Sequence, residues 1–404
     1  MSVISKRIAI ALLVLLMAIQ VPFVVRRIMT ARLGADIERN NSERTAREIA
    51  GYREYKGVLH IHTSLGGHST GSFRELIEAA NANSLDFVIM TEHVQSDLDT
   101  AALTLSGVHQ GTLFVAGSEM RSRDGDKLLT IPGISHVDEP QSFTTDEIIR
   151  NNSSKDGLVF AAYPERERIL RSSIDGIEVF SLHTAAKQMN PFLSFFDLFW
   201  TYPSYPALLF ASSFKRPDKE LDIYDAMAAE RRTLLFAGTD AHSNIGITFF
   251  GTDTGHRFGY IKLDPYQMSL SVVRLHVLIE EGSELSQAAL LRSLKEGKAF
   301  VGMDIIGDTS GFSFTAAAED GSSYVMGSEI PSGKEYTFAA FSPQIARFLL
   351  LRNGEKIAES ANSSEFSFTI GGEPGAYRLE VYLDKLGPPF DKMPWILSNP
   401  IYVR

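Results

Sequence analysis

Four times along this chain a short apolar, β-favouring run ends in imidazole or carboxylate side chains. The segments are Leu59-His60-Ile61-His62-Thr63, Phe87-Val88-Ile89-Met90-Thr91-Glu92-His93, Phe114-Val115-Ala116-Gly117-Ser118-Glu119 and Leu234-Leu235-Phe236-Ala237-Gly238-Thr239-Asp240-Ala241-His242. Residues i and i+2 of a strand face the same side, so His60 and His62 can meet at one point. Strands are expected at 58–62, 85–90, 113–116, 158–162, 176–180, 233–237 and 260–263, with helix-like stretches such as 72–82 and 145–150 between them. Strands alternating with helices indicate a parallel α/β sheet or barrel, whose functional groups collect at the C-terminal strand ends. Any one of these His could be an ordinary hydrogen-bonded residue. The set together points ionisable groups from four strands at one mouth.

Composition narrows the chemistry. The 404 residues contain no Cys, so a disulfide framework, a thiolate zinc site, an iron–sulfur cluster and a Cys nucleophile are all excluded. Any metal must be held by His, Asp and Glu. With 39 basic and 49 acidic residues the net charge is −10, which argues against binding by phosphate neutralisation, and no nucleic-acid partner is expected.

Residues 8–25 carry no charge and are flanked by Lys6, Arg7, Arg26 and Arg27. The run spans roughly 27 Å, enough for a bilayer core. Its exit, Val24-Val25-Arg26-Arg27, lacks a small-x-small cleavage pattern, so an uncleaved single-pass anchor in the cell membrane is expected. The flanking positive charges nearly balance; the reading adopted places the body outside the cytoplasm. Residues 35–52 read as a stalk helix. After about 309 the pattern becomes all-β, with strands expected at 312–316, 335–341, 347–352, 365–370, 377–382 and 401–403, which suggests a small β-sandwich. Residues 191–214 hold nine aromatics in 24 positions. They read either as buried core or lid, or as an aromatic surface resting on the bilayer.

In residue type and order, His60-Ile61-His62-Thr63, Thr91-Glu92-His93, Gly117-Ser118-Glu119 and Gly238-Thr239-Asp240-Ala241-His242 resemble the PHP (polymerase and histidinol phosphatase) superfamily of metal-dependent phosphoesterases. The resemblance covers about 56–303 and implies a distorted (β/α)7 barrel with up to three divalent ions at its mouth. Some membrane-anchored members similarly carry a C-terminal β domain, ending in a phrase like Trp395-Ile396-Leu397-Ser398-Asn399-Pro400-Ile401-Tyr402-Val403. The expected divisions are therefore an anchor at 1–33, a stalk helix or linker at 34–55, a PHP-like hydrolase domain at 56–308 and a β-sandwich at 309–404.

The resemblance implies one ion held by His60, His62, Glu119 and Asp240, with Glu119 bridging to a neighbour, and another held by His68, His93 and His242. The remaining position normally takes two further His. Here Asp126-Lys127-Leu128-Leu129 and Ala162-Tyr163-Pro164 stand in their place. Lys127 would put a fixed cation where that ion sits, Tyr163 would donate a hydrogen bond, and Asp126 would be a substitute ligand. Glu92 would orient a ligand His. Glu178 and His183 are further pocket candidates. His109, His136, His256 and His276 lack such a setting and read as structural. Imidazole and carboxylate donors suit Zn, Mn or Fe; two ions are expected, and three if the replaced position still binds.

The implied activity is hydrolysis of a small-molecule phosphoester by metal-activated water, with Asp240 or His242 shuttling the proton. Carboxyl ester or carbamate hydrolysis on the same site is the first alternative. A membrane-tethered binding protein without catalysis, its activity lost with the Lys127 and Tyr163 replacements, is the second.

Overall fold

The computed structural model describes residues 3–135, 142–164, 169–170, 172–187, 189–251 and 257–404; His136 and His256 lie outside them. The chain opens with one helix, Val3–Ser42, of 40 residues. It is long and apolar enough to cross a membrane. It runs without interruption from the segment read as anchor into the segment read as stalk, and ends before residue 52. Pro22 and Gly34 are the helix's own breakers, and neither stops it. It stops at Ser42, whose hydroxyl donates to the Arg39 carbonyl at 2.7 Å. The non-helical segment that follows is tied down by Arg44–Asp308 and Arg47–Glu365 ion pairs.

The architecture is mixed α/β with mixed sheets. Tyr52–Leu59 pairs in parallel with Phe87–Ile89, which pairs in parallel with Thr112–Val115. Beyond them, Glu92–His93 and Ser118–Arg121 pair in parallel in their turn. Lys127–Ile131 is antiparallel to both of its neighbours, Ser118–Arg121 and Leu158–Ala162. Leu158–Ala162, Gly176–Ser181 and Leu234–Gly238 are again parallel. The pairing then returns to the first strand, where the Thr239 amide donates to the Leu59 carbonyl and the His62 amide to the Ala241 carbonyl, both at 3.1 Å. Regular β/α alternation is broken at Lys127–Ile131, which follows its neighbour as a hairpin. Polar Asp126 and Lys127 open that strand and hide its apolar remainder from a pattern search. The segment at 260–263 is likewise no parallel strand: it belongs to Arg257–Lys262, antiparallel to Gly246–Gly251.

The C-terminal strands are hydrogen-bonded to the strands that precede them. Tyr336–Arg352 and Glu355–Ile370 form one long hairpin, with both positions of the Asn353-Gly354 turn at positive φ, as a two-residue connection of this kind requires. Ile396–Ser398 pairs with Ala299–Gly302, which pairs with Arg274–Glu280, which pairs with Tyr52–Leu59. The hydrogen-bonded ladder thus crosses the expected boundary at 308 and joins the strand that carries His60. Arg274–Glu280 and Ala299–Gly302 were not expected as strands. Asn399 makes a second join: its side chain accepts from the Leu235 amide at 2.7 Å and donates to the carbonyls of Leu235 and Ala299 at 3.0 and 2.8 Å.

Candidate metal centre

Each of the four strand ends delivers its side chains inward. His60, Tyr163 and Asp240 all sit at positive φ, where a non-glycine residue costs on the order of 1–3 kcal/mol. Such strain persists only where surrounding contacts hold it. The Thr239 hydroxyl donates to the His60 carbonyl at 3.0 Å, and the Tyr266 hydroxyl donates to the His62 carbonyl at 2.5 Å. Gly238 and Gly117 leave the space that packing needs. A Cβ on Gly238 would collide with the Glu178 carboxylate, and one on Gly117 with the Met90 carbonyl.

Three overlapping groups of donor atoms result: His60, His62, Glu119 and Asp240; His62, His93 and His242; and His183, Asp240 and His242. Within each group the donor atoms all lie within 4.8 Å of one another. His62 Nε2 is 3.1 Å from Glu119 Oε2 and 3.3 Å from Asp240 Oδ1. His60 Nε2 is 3.3 and 3.4 Å from the same two oxygens. Behind it, His60 Nδ1 lies 2.7 Å from Glu178 Oε1. A carboxylate only accepts, so this contact keeps a proton on Nδ1 and turns Nε2 towards the cluster, where it can serve as a ligand once deprotonated. His62 is fully buried, its ring stacked between those of His93 and His242 at 4.4 and 4.3 Å; its Nδ1 has no hydrogen-bond partner, and its Nε2 faces both carboxylates without a well-aligned hydrogen bond. An orphaned buried imidazole flanked by carboxylates fits a metal ion.

Burial alone would disfavour charge on His60, but Glu178, Asp240 and Glu119 outweigh it and raise its pKa well above the ordinary value. Burial likewise opposes charge on Glu119 and Asp240, yet the facing imidazoles hold both well below the carboxylate range. His93 and His242 are pushed down to about 4, by burial first and then by His62. Without an ion the carboxylates hold protons on His60 and His62, whose pKa values are both raised although burial opposes it; a bound cation would displace these protons, because ligand imidazoles must be neutral.

The other sequence candidates divide. His183, half-buried, is drawn into the third group, its ring 5.4 Å from that of His242. Glu178 reaches the cluster through His60. Tyr163 donates its hydroxyl to Asp240 Oδ2. Lys127 Nζ lies 4.0 Å from Glu119 Oε1 and 4.6 Å above the Tyr163 ring. His68 is exposed, edge-on to His93 with ring centroids 5.2 Å apart, and stands outside the three groups. Asp126 is not drawn into the three donor groups: its Oδ2 accepts from the Thr145 hydroxyl at 2.7 Å. Glu92 does not touch a ligand ring; it accepts from the Thr63 amide at 3.0 Å and the Thr63 hydroxyl at 2.6 Å, fixing the backbone just after His62. Tyr266 and Thr239 were missed. They act through backbone carbonyls, and no local pattern signals that.

The four segments that carry the sequence resemblance thus meet at one cluster. No protein-family model and no curated protein matches the sequence. Among solved structures, PsfC from Pseudomonas syringae PB-5123 is similar at 10% identity and TM-score 0.38, over 60% of this chain and 90% of that one. A two-domain protein containing a predicted PHP-like metal-dependent phosphoesterase, from Bacteroides vulgatus ATCC 8482, is similar at 13% identity and TM-score 0.36, over 89% of this chain and 98% of that one. The lesion-specific endonuclease PfuEndoQ from Pyrococcus furiosus is similar at 12% identity and TM-score 0.36, over 67% of this chain and 64% of that one. These likenesses are too distant to carry any argument about activity.

Proposed function

We propose that this protein is a metal-dependent hydrolase of phosphoesters, built on a distorted barrel and tethered to a membrane by its N-terminal helix. The observation that supports this reading is the convergence of three overlapping donor groups on the orphaned ring of His62. His60, His62, Glu119 and Asp240 would hold one ion. His93 and His242, with His68 beside them, would hold a second, and His183 is placed to add a ligand to Asp240 and His242. When bound, such ions acidify water and neutralise charge on phosphoryl oxygens. The chain's own residues supply the rest. Glu178 fixes the His60 tautomer, the Tyr163 hydroxyl holds one oxygen of Asp240, and Lys127 puts a positive charge beside Glu119 at the cluster's edge. Asp240 and His242 are the groups placed to accept and pass a proton.

The Lys127 contact also favours a second reading, in which the same centre cleaves a carboxyl ester or carbamate. A carbonyl needs less charge neutralisation than a phosphoryl group, and a lysine in place of an ion leaves enough. The test is the full chain in detergent micelles, assayed with and without Mn or Zn. The panel holds aryl phosphates, phosphodiesters, DNA oligonucleotides and aryl acetates. Metal-stimulated phosphoester turnover that His60→Ala removes is the expected result. Turnover of acetates alone would favour the second reading, and a metal-loaded protein inert on the whole panel would overturn both.

A further inference from the structure

The aromatic segment 191–214 forms two short helices, Pro191–Trp200 and Pro206–Ala211, and the first lies against the N-terminal helix. Phe23 stacks on Phe196 with ring centroids 4.5 Å apart. The Trp200 indole N–H donates to Gln20 Oε1 at 2.9 Å, and Arg26 donates through Nε and Nη2 to the two oxygens of Asp197 at 3.2 and 2.6 Å. Asp197, the one charged residue of that helix, is buried in this contact. The adjoining face carries Phe192, Phe195 and Phe199, at spacings of three and four residues, and these are 64%, 58% and 64% exposed, with Phe192 and Phe195 both touching the Phe196 ring. Leu193 flanks them. Large apolar residues exposed elsewhere on the body, such as Leu98, Val108 and Ile345, are scattered singly.

We infer that Pro191–Trp200 is a second membrane contact, an amphipathic helix lying in the interface of the same leaflet that the N-terminal helix leaves. This rests on the reading that the N-terminal helix crosses a bilayer. The occupant of the phenylalanine face is a lipid surface because Phe192 and Phe195 touch Phe196, which stacks on Phe23 of the apolar run, and both that run and the face are exposed. The level agrees. The contacts fall between Gln20 and Arg26, within roughly 9 Å of the charged end of the apolar run, which is the depth at which interfacial helices settle. Tyr205 sits at that end with Arg26 and Arg27, the residue types that anchor a helix at the headgroups. Arg27 stacks over the Tyr205 ring at 5.3 Å. The two contacts together fix the body's tilt. The second aromatic helix reaches the cluster through Phe210, which lines a small cavity with His183, Asp240 and His242. The metal centre is thereby held close to the lipid surface.

The absence of Cys makes single spin labels unambiguous. The full chain, carrying one of Phe195→Cys, Phe199→Cys, Val14→Cys or Ile345→Cys, is labelled with a nitroxide in phosphatidylcholine–phosphatidylglycerol vesicles. Collision with lipid-soluble oxygen is compared with collision with a water-soluble nickel complex. The oxygen-to-nickel ratio at 195 and 199 should shift towards that of Val14 and away from that of Ile345. Ratios matching Ile345, with Val14 still in lipid, would overturn the inference and leave the anchor standing. Shielding of 195 and 199 from both reagents would mean a protein partner covers the face, and would also overturn it. A Val14 label in water would remove the anchor reading, and this inference with it.

Discussion

His60 Nδ1 lies 2.7 Å from Glu178 Oε1, and both residues are fully buried behind the donor cluster. The contact holds the ring's other nitrogen towards Glu119 and Asp240. Losing the charge of such a partner typically weakens metal affinity by about 10- to 100-fold. Glu178→Gln keeps the shape and removes the charge, so it should lower affinity by that order with little change in melting temperature without metal. Chelator competition against Zn checks the affinity. An unchanged affinity would mean that Glu178 only packs.

Gly238 tests the same contact from the other side. A Cβ there would collide with Glu178 Oε1 and come within 2.9 Å of the His60 Cβ. Gly238→Ala should therefore displace Glu178 or His60, reduce metal content in the purified protein and destabilise it by about 1–3 kcal/mol. Elemental analysis and thermal melting of the variant check both effects.

Asn399 links the C-terminal strands to the strand that carries Asp240 and His242 beyond its end. Its amide group pairs with both the N–H and the carbonyl of Leu235. Asn399→Ala leaves these backbone groups buried and unpaired, at about 1–3 kcal/mol for each lost partner. The variant should melt at lower temperature, and hydrogen exchange should quicken at Leu235 before it does at distant strands.

These two joins explain what could be read from the chain and what could not. The strand-end His and acid segments were legible because the chemistry needs neighbouring residues on one strand. The pattern also placed Glu178 and His183 near the site. The ladder from Ile396–Ser398 through Ala299–Gly302 to Tyr52–Leu59 was not legible, because pairing between segments far apart in sequence leaves no local period. Asp126 misled for a related reason: its place beside Lys127 fitted a ligand position, but its partner is Thr145, on a helix reached only in the fold. Only three dimensions show that Lys127–Ile131 runs antiparallel.

Away from the metal centre, His276 is fully buried between Glu54, 2.6 Å from its Nδ1, and the Thr309 hydroxyl, 2.9 Å from its Nε2. Burial opposes its charge, but Asp304 and Glu54 outweigh that and raise its pKa to about 9. A group whose pKa is raised on folding stabilises most below its unfolded value and loses that contribution as pH rises through its folded value. Stability should therefore decline between about pH 7 and 10, by on the order of a few kcal/mol. Asp304, held below the carboxylate range by His276 and Arg274 against burial, acts with the opposite sign and weakens the fold in acid. Chemical denaturation across this range, with His276→Gln as the reference that should flatten the alkaline limb, checks the sign.

The claim on which the rest depends is that His60, His62, His93, Glu119, Asp240 and His242 grip divalent ions. Elemental analysis of the full chain, purified without chelators, tests it most directly. The account predicts two tightly held ions of Zn, Mn or Fe per chain, falling to one or none in His62→Ala. Wild-type protein that carries less than a tenth of an ion per chain, and takes up none on dialysis against Zn or Mn, would contradict it.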